Sequence, residues 1–342
     1  MAFYALTTTM ALAEYSLIND FGDPVAEAKA CRTDCALFDF SFLECAQVSG
    51  PKAQSSLEAF CNRRLQNLKE RQIFYALRTN ARGEAVADLT IWRKGPSSFE
   101  VMSGRREEII ELRKQSCANM EVFDIGASRA VFALQGPRAL DTLRKLGDVS
   151  RIAGLAYFGF ATMEIADISC TVGRLGYTGE SGFEIITEKS RADLLWKALS
   201  AHARPAGFIA ADMLRIEAGF VLFCNEFRVP VSPIEAGLRN FQRPAVPTEN
   251  PIRLVSFRAD ADHLSVPWQP KSPLHRPAVH QITVTSACDS TVAGGVLGLG
   301  YVAAAMGFKE ALSDPTGQFR NVRLTALPFY DTAKRRPRAA WI

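Results

Sequence analysis

The chain is poor in histidine. Its 342 residues hold four, His202, His263, His275 and His280, and the first 201 residues contain none. A histidine-based nucleophile system or a His-rich metal site is therefore excluded from most of the molecule. Eight cysteines are present but none in CxxC spacing; Cys31 and Cys35 suit one helix face, yet no second pair completes a zinc site. Nor is there an export signature, because the first basic residue is Lys29 and the apolar start Met1–Leu12 lacks a charged flank. Scattered thiols without such a signal read as reduced cysteines of a cytoplasmic protein. No apolar run reaches membrane-spanning length. Charge of one sign is also missing: 40 basic against 36 acidic residues leave +4. That is too mild to imply nucleic acid, although it suits a small anionic ligand. What remains is chemistry on carboxylates, tyrosines and a cofactor, with no metal expected.

At 48% hydrophobic and 22% charged, the chain has room for two or three domains with substantial cores. Its most informative string is Gly173–Arg174–Leu175–Gly176–Tyr177–Thr178–Gly179–Glu180–Ser181–Gly182–Phe183–Glu184–Ile185. Alternating residues precede it (Ile168, Cys170, Val172) and follow it (Phe183, Ile185), the pattern of two strands joined by a tight, exposed turn. Four glycines in such a turn bring backbone close to something, with polar side chains free to line a pocket.

The first half also repeats itself. Gly50–Pro51–Lys52–Ala53 recurs 86 residues later as Gly136–Pro137–Arg138–Ala139, and Phe99–Glu100–Val101 recurs 84 later as Phe183–Glu184–Ile185. Similar offsets argue for two copies of one unit, near residues 44–117 and 130–199. Each reads strand (Glu44–Val48; Ala130–Leu134), a Gly-Pro corner opening a helix, a strand pair (Ile73–Trp92; Ala161–Ile185) and a closing helix (Arg105–Cys117; Arg191–Leu199). Strand–helix–strand–strand–helix is an α+β arrangement. After Asn240 prolines punctuate the chain, from Pro244 and Pro247 to Pro277. Short β-like runs follow at Leu254–Phe257, Gln281–Val284, Val296–Val302 and Val322–Leu327. The expected division is an α+β region over 1–245 and a small C-terminal β-barrel over 246–342. The basic tail Lys334–Arg338 reads as a solvated terminus.

Landmarks across residues 27–338 resemble, in order, the glycine-cleavage T-protein (aminomethyltransferase) superfamily. They include Leu37–Phe38–Asp39, Gly83 with Asp88–Leu89, Ala133–Leu134–Gln135–Gly136–Pro137, the Gly-Tyr-Thr-Gly-Glu turn, Leu214–Arg215–Ile216–Glu217–Ala218–Gly219 and Pro233–Ile234–Glu235–Ala236–Gly237–Leu238. The resemblance implies interwoven folate-binding domains, a C-terminal barrel and tetrahydrofolate as cofactor. It implies a catalytic role for Asp88, an acid inside the apolar run Val86–Trp92, whose competing reading is an outward-facing strand residue. By the same resemblance Glu184 recognises the pterin ring, since a carboxylate accepts two parallel N–H donors. Tyr177, Arg215 and Tyr75 also line the folate. The competing readings are surface packing for Tyr177, a local pair with Asp212 for Arg215, and core for Tyr75.

The departures lie on the side facing the one-carbon donor. Residues 15–24, Ser41–Phe42–Leu43–Glu44, Ala87–Asp88, Leu222–Phe223–Cys224–Asn225–Glu226 and residues 241–244 all differ from the T-protein pattern. They argue against glycine cleavage with a lipoyl-carrier partner. The expectation is a tetrahydrofolate-dependent methyl- or aminomethyltransferase or demethylase acting on a small methylated donor, with neither nucleic acid nor membrane as partner. The alternative is a non-catalytic folate-binding protein of the iron–sulfur-maintenance type; the Lys-Gly-Cys-Tyr string of those relatives is missing, and Cys224 sits in another context.

Overall fold

A computed structural model describes residues 17–241, 251–270 and 274–341. Fifteen strands run in chain order: β1 (Ala36–Asp39), β2 (Glu44–Ser49), β3 (Ile73–Thr79), β4 (Ala85–Gly95), β5 (Ser98–Ser103), β6 (Glu121–Asp124), β7 (Arg129–Gln135), β8 (Phe160–Ile165), β9 (Ile168–Gly173), β10 (Gly182–Glu188), β11 (Arg204–Ala206), β12 (Ile252–Asp260), β13 (Ile282–Ser290), β14 (Gly295–Ala303) and β15 (Arg320–Thr325). The helices are α1 (Pro24–Thr33), α2 (Ala53–Phe60), α3 (Arg106–Arg113), α4 (Ala139–Arg144), α5 (Ala192–Ser200), α6 (Phe208–Glu217) and α7 (Phe223–Glu226). None of the described helices is long and apolar enough to cross a membrane.

The first sheet has the order β3-β4-β5-β2-β6, and the second β11-β1-β7-β10-β9-β8. Read from its far edge, the second begins β8-β9-β10-β7, the same order as β3-β4-β5-β2. Each four-strand set is strand, helix, three strands, then helix. The expected first unit therefore lacked one strand, β5, which stands between the strand pair and the closing helix; in the second, the anticipated stretch Ala161–Ile185 holds β8, β9 and the start of β10 rather than a pair. The chain crosses between the sheets early, since β1 joins the second and β2 the first.

Alternation in β4 explains the layering. Leu89 and Ile91 point to a core shared with α2 and α3, whereas Trp92 points the other way, into a core built with Phe160, Ile186 and Ala133 of the second sheet. α4 and α5 cover that sheet's outer face. The molecule is thus helices, sheet, shared core, sheet, helices, with α1 and α6 closing one end of the shared core. Asp23 caps α1, its side chain accepting from the Ala26 N–H at 2.9 Å, and Pro24 begins the first turn. The Gly-Pro corners behave differently from expectation. α2 and α4 start at Ala53 and Ala139, two residues past each proline. Gly50 and Gly136, at φ +121° and +136°, set the corner, and a Cβ at either would strike a backbone carbonyl, that of Asn119 or Asp34.

The C-terminal part corrects a second expectation. All four anticipated strands form, but among the described residues they make an open antiparallel sheet, β13-β14-β12-β15, rather than a closed barrel. Its two edge strands are met instead by isolated bridges, Trp268 to Ala287 and Leu312 to Val322. One face packs on α6 through Leu254, Cys288 and Tyr301. The anticipated boundary at 245/246, with Pro244 and Pro247, lies outside the described residues.

Candidate functional site

Asp88 shares a β4 face with Trp92, and so projects into the layer between the sheets. Tyr75, on the neighbouring strand β3, projects the same way. Its hydroxyl donates to Asp88 Oδ2 at 3.1 Å, and its ring meets Phe241 edge-on at 5.0 Å. Burial raises the Asp88 carboxyl from its ordinary 3.8 to about 6, against the lowering effect of the Tyr75 bond. Asp88 is nonetheless partly accessible, as are Tyr75 and Tyr177. The Ser103 hydroxyl, from β5, donates to the Asp88 carbonyl at 3.2 Å and fixes the strand there.

Glu184 enters the same layer from the opposite sheet. Its partners across β7 and β9 are Ala133 and Gly173, and the Trp92 ring lies where a Cβ on Gly173 would sit. The carboxylate is 7% exposed and accepts no hydrogen bond among the described residues. Burial alone raises it from 4.5 to about 7. Its electrostatic neighbour is Tyr157. Asp88, Tyr75 and Tyr177 lie within electrostatic reach of one another.

The glycine-rich segment is not the exposed tight turn that its composition suggested. Residues 174–181 form an eight-residue connection in which Thr178 and Glu180 are buried. What the backbone approaches is the protein itself. Gln135 donates to the Leu175 and Phe183 carbonyls and accepts from the Thr178 hydroxyl at 3.1 Å, and any Cβ on Gly176 would overlap it. A Cβ on Gly173 would overlap the Trp92 ring. Tyr177 does face the site, with its ring stacked on Phe220 and its hydroxyl donating to the Val221 carbonyl at 2.7 Å.

Arg215 is placed behind the site wall. It is 0% exposed, and its guanidinium donates to Asp212 (2.7 Å), Glu226 (2.8 Å), the Phe220 carbonyl (3.1 Å) and Ser286 (2.6 Å). The local pair with Asp212 is real, and three more partners join it, from α7, β13 and the loop between α6 and α7. Glu226 in turn accepts from Thr285 and Ser286, so one buried arginine ties α6, α7 and the C-terminal sheet together. The tail likewise departs from a solvated terminus. Arg336 donates to Glu180 at 2.8 Å, Trp341 stacks on Phe183 at 5.0 Å, and Lys334 lies over the Phe220 ring at 4.9 Å. Glu180 also accepts from Arg32 and Tyr330, and Arg32 bridges to Glu217 at 2.7 Å.

Sequence reasoning missed Ser103 and the aromatic wall beside Tyr177. Phe42 and Phe223 pack there, partly buried, against Phe208 and Leu222. One signal was available, since Gly104 follows Ser103 and a Cβ on it would come within 2.5 Å of the Phe223 ring.

The two facing sheets and their flanking helices define an α+β protein. The GCVT N-terminal domain matches residues 9–243, and the chain belongs to that family. It is similar to the aminomethyltransferase of Moorella thermoacetica, 31% identical over 228 residues that cover 64% of this chain and 62% of the relative. That of Rubrobacter xylanophilus is 34% identical over 219 residues, 62% of this chain and 58% of the relative. Both matches span about three-fifths of the relatives' length. The aminomethyltransferase T of the glycine cleavage system from Bartonella henselae shares the fold, with a TM-score of 0.75 at 22% identity over 96% of this chain and 99% of that one.

Proposed function

We propose that this protein moves a one-carbon group, methyl or aminomethyl, from a small methylated donor to tetrahydrofolate. The observation that carries the proposal is Glu184, a carboxylate 7% exposed that accepts no hydrogen bond among the described residues and faces the layer between the sheets with Ala133. A buried acceptor left unmatched costs free energy, so such a group is poised for a ligand with donors. The pterin edge of tetrahydrofolate carries two parallel N–H donors and fits it. When bound, tetrahydrofolate supplies the nucleophilic nitrogen that accepts the carbon.

Asp88 is the catalytic residue on this reading. Held by Tyr75, its carboxylate accepts a proton or offsets positive charge developing beside it. A carboxyl titrating near 6 is ionised at neutral pH yet basic enough to take a proton. Tyr177 and Tyr75 line the cleft, and Arg215 acts as a positioning residue that holds α6 and α7 behind Tyr177. The apolar wall of Phe42 and Phe223 shelters the donor's methyl group from water. The retained Asp88 favours an enzyme over a non-catalytic folate carrier.

The test is calorimetric titration of the wild type and Glu184→Ala with tetrahydrofolate, followed by single-turnover transfer from methylated donors. Saturable binding, weakened at least tenfold in the variant, supports the site. Absence of wild-type binding overturns the whole reading. Binding without transfer from any donor leaves the folate site and removes the enzyme.

A further inference from the structure

The shared layer opens a second time, away from Asp88. Lys94 ends β4 six residues beyond Asp88, roughly 20 Å along the strand. There it borders a cavity of about 450 Å³ between the two sheets. On the first-sheet side stand Lys94 and Glu100; on the second-sheet side stand Arg129, Thr171 and Ile186. Glu184 is the next residue on its face beyond Ile186 and does not line this cavity.

Glu100 is the counterpart of Glu184 in the repeated order of strands: Phe99–Glu100–Val101 on β5 matches Phe183–Glu184–Ile185 on β10. It too points into the layer between the sheets, on the same face as Met102. It is 6% exposed, and its Oε1 is buried with no hydrogen-bond partner. Its other oxygen stands 3.6 Å from Lys94 Nζ, a loose pair, while Nζ also reaches the Thr171 hydroxyl at 3.2 Å. Arg129, partly buried, has no acceptor among the described residues. It lies with Glu100 beside the buried Cys45, whose thiol senses both charges. The charged lining is balanced, three cations (Lys94, Arg129 and Arg191) against three carboxylates (Glu100, Asp167 and Glu188), and a vacant acceptor at depth near Lys94 and Arg129 complements a molecule that carries an ammonium donor and a carboxylate together. A zwitterion enters without altering the net charge of the layer, whereas a lone anion or cation would leave a charge uncompensated.

We propose that this cavity is a second ligand site, for a small zwitterion of the amino-acid class. Its ammonium group donates to Glu100, and its carboxylate meets Lys94 and Arg129. The site is independent of the folate reading and draws on none of its residues.

The test is equilibrium titration of the full chain with glycine, L-glutamate and glycine betaine as probes, on wild type, Glu100→Gln and Arg129→Ala. Saturable binding of glycine or glutamate, weakened at least tenfold in both variants, is expected. Betaine, which has a carboxylate but no N–H donor, should bind at least tenfold more weakly than the better amino acid. Absence of binding up to ten millimolar (about the weakest affinity a metabolite site would need) overturns the proposal. Equal binding of betaine overturns it as well, because Glu100 would then not be reading a donor. Should Glu100→Gln fail to fold, Arg129→Ala at the partly exposed rim decides alone, and undiminished binding there counts against the site.

Discussion

Ionising Glu184 in the free protein is costly, and a ligand with two N–H donors relieves that cost. Its carboxyl is raised from 4.5 to about 7 by burial, so its contribution to stability is whole below pH 4.5 and is lost as pH rises through 7. Glu184→Gln removes the ionisation and should be more stable than wild type above pH 7, by about 3 kcal/mol at most, while binding folate more weakly. Urea unfolding of both proteins at pH 5 and 8 checks this, and stability curves that stay parallel would sink it. Binding near pH 7 should release protons, because donors to the carboxylate favour its charged form; calorimetry in buffers of different ionisation enthalpy reads that release. Asp88, raised to about 6, sets the pH profile of transfer. The rate should climb as pH passes through 6 and level off above it. Asp88→Asn should keep folate affinity and lose transfer by about 10²-fold or more. Turnover that survives the change removes Asp88 from the chemistry.

The two short helices α6 and α7 depend on one side chain. Arg215 answers two buried carboxylates, Asp212 and Glu226, and none of the three side chains is more than 2% exposed. Arg215→Met should cost about 3–5 kcal/mol, since it leaves buried charge uncompensated, and denaturant unfolding measures it. Folate affinity should fall with the displacement of Tyr177, whose ring leans on Phe220, the residue whose carbonyl Arg215 holds. A variant of wild-type stability would show that the carboxylates find other partners. This element also marks the limit of what could be read in advance. Asp88 and Glu184 became candidates through the family resemblance, since the alternation around Asp88 left an outward-facing reading equally open. Helices and strands were legible to within a few residues from periodicity and breakers. The role of Arg215 was not, because beyond Asp212 its partners include Ser286, 71 residues away in sequence. Composition registers an arginine near a glycine; only the packing of α6 on β13 and β14 supplies what it holds. The third strand of the first unit escaped for a different reason, since Phe99–Ser103 is a continuous buried run, without the alternation that marks a half-buried strand.

Across the whole molecule, the shared layer is closed by pieces of chain that meet from opposite ends of the sequence. Glu180 is bonded to Arg32, 148 residues before it, and to Arg336, 156 residues after it. Arg32 is itself fixed to Glu217 and covered by the Tyr330 ring at 3.9 Å. Trp341 then lies on Phe183, the residue before Glu184. Phe183 and Trp341 belong to the core on the outer face of that sheet, opposite Glu184, so the tail bears on the shared layer through Glu180, even though Arg336 is exposed and an exposed ion pair alone contributes little. Glu180 makes the difference, because its carboxylate is 1% exposed and cannot fall back on water when a partner leaves. Removing residues 332–342 should lower stability by a few kcal/mol, through the loss of the Arg336 bond and the Trp341 stack. It should speed amide exchange in residues 174–181 and weaken folate binding severalfold, while exchange in α2 and α3, on the far side of the first sheet, stays as it was. Local exchange separates this effect from general unfolding, because a globally weakened protein would quicken both regions together. Unchanged exchange at 174–181 would mean that Gln135 holds the segment unaided, and the tail would then be only a passenger on its surface.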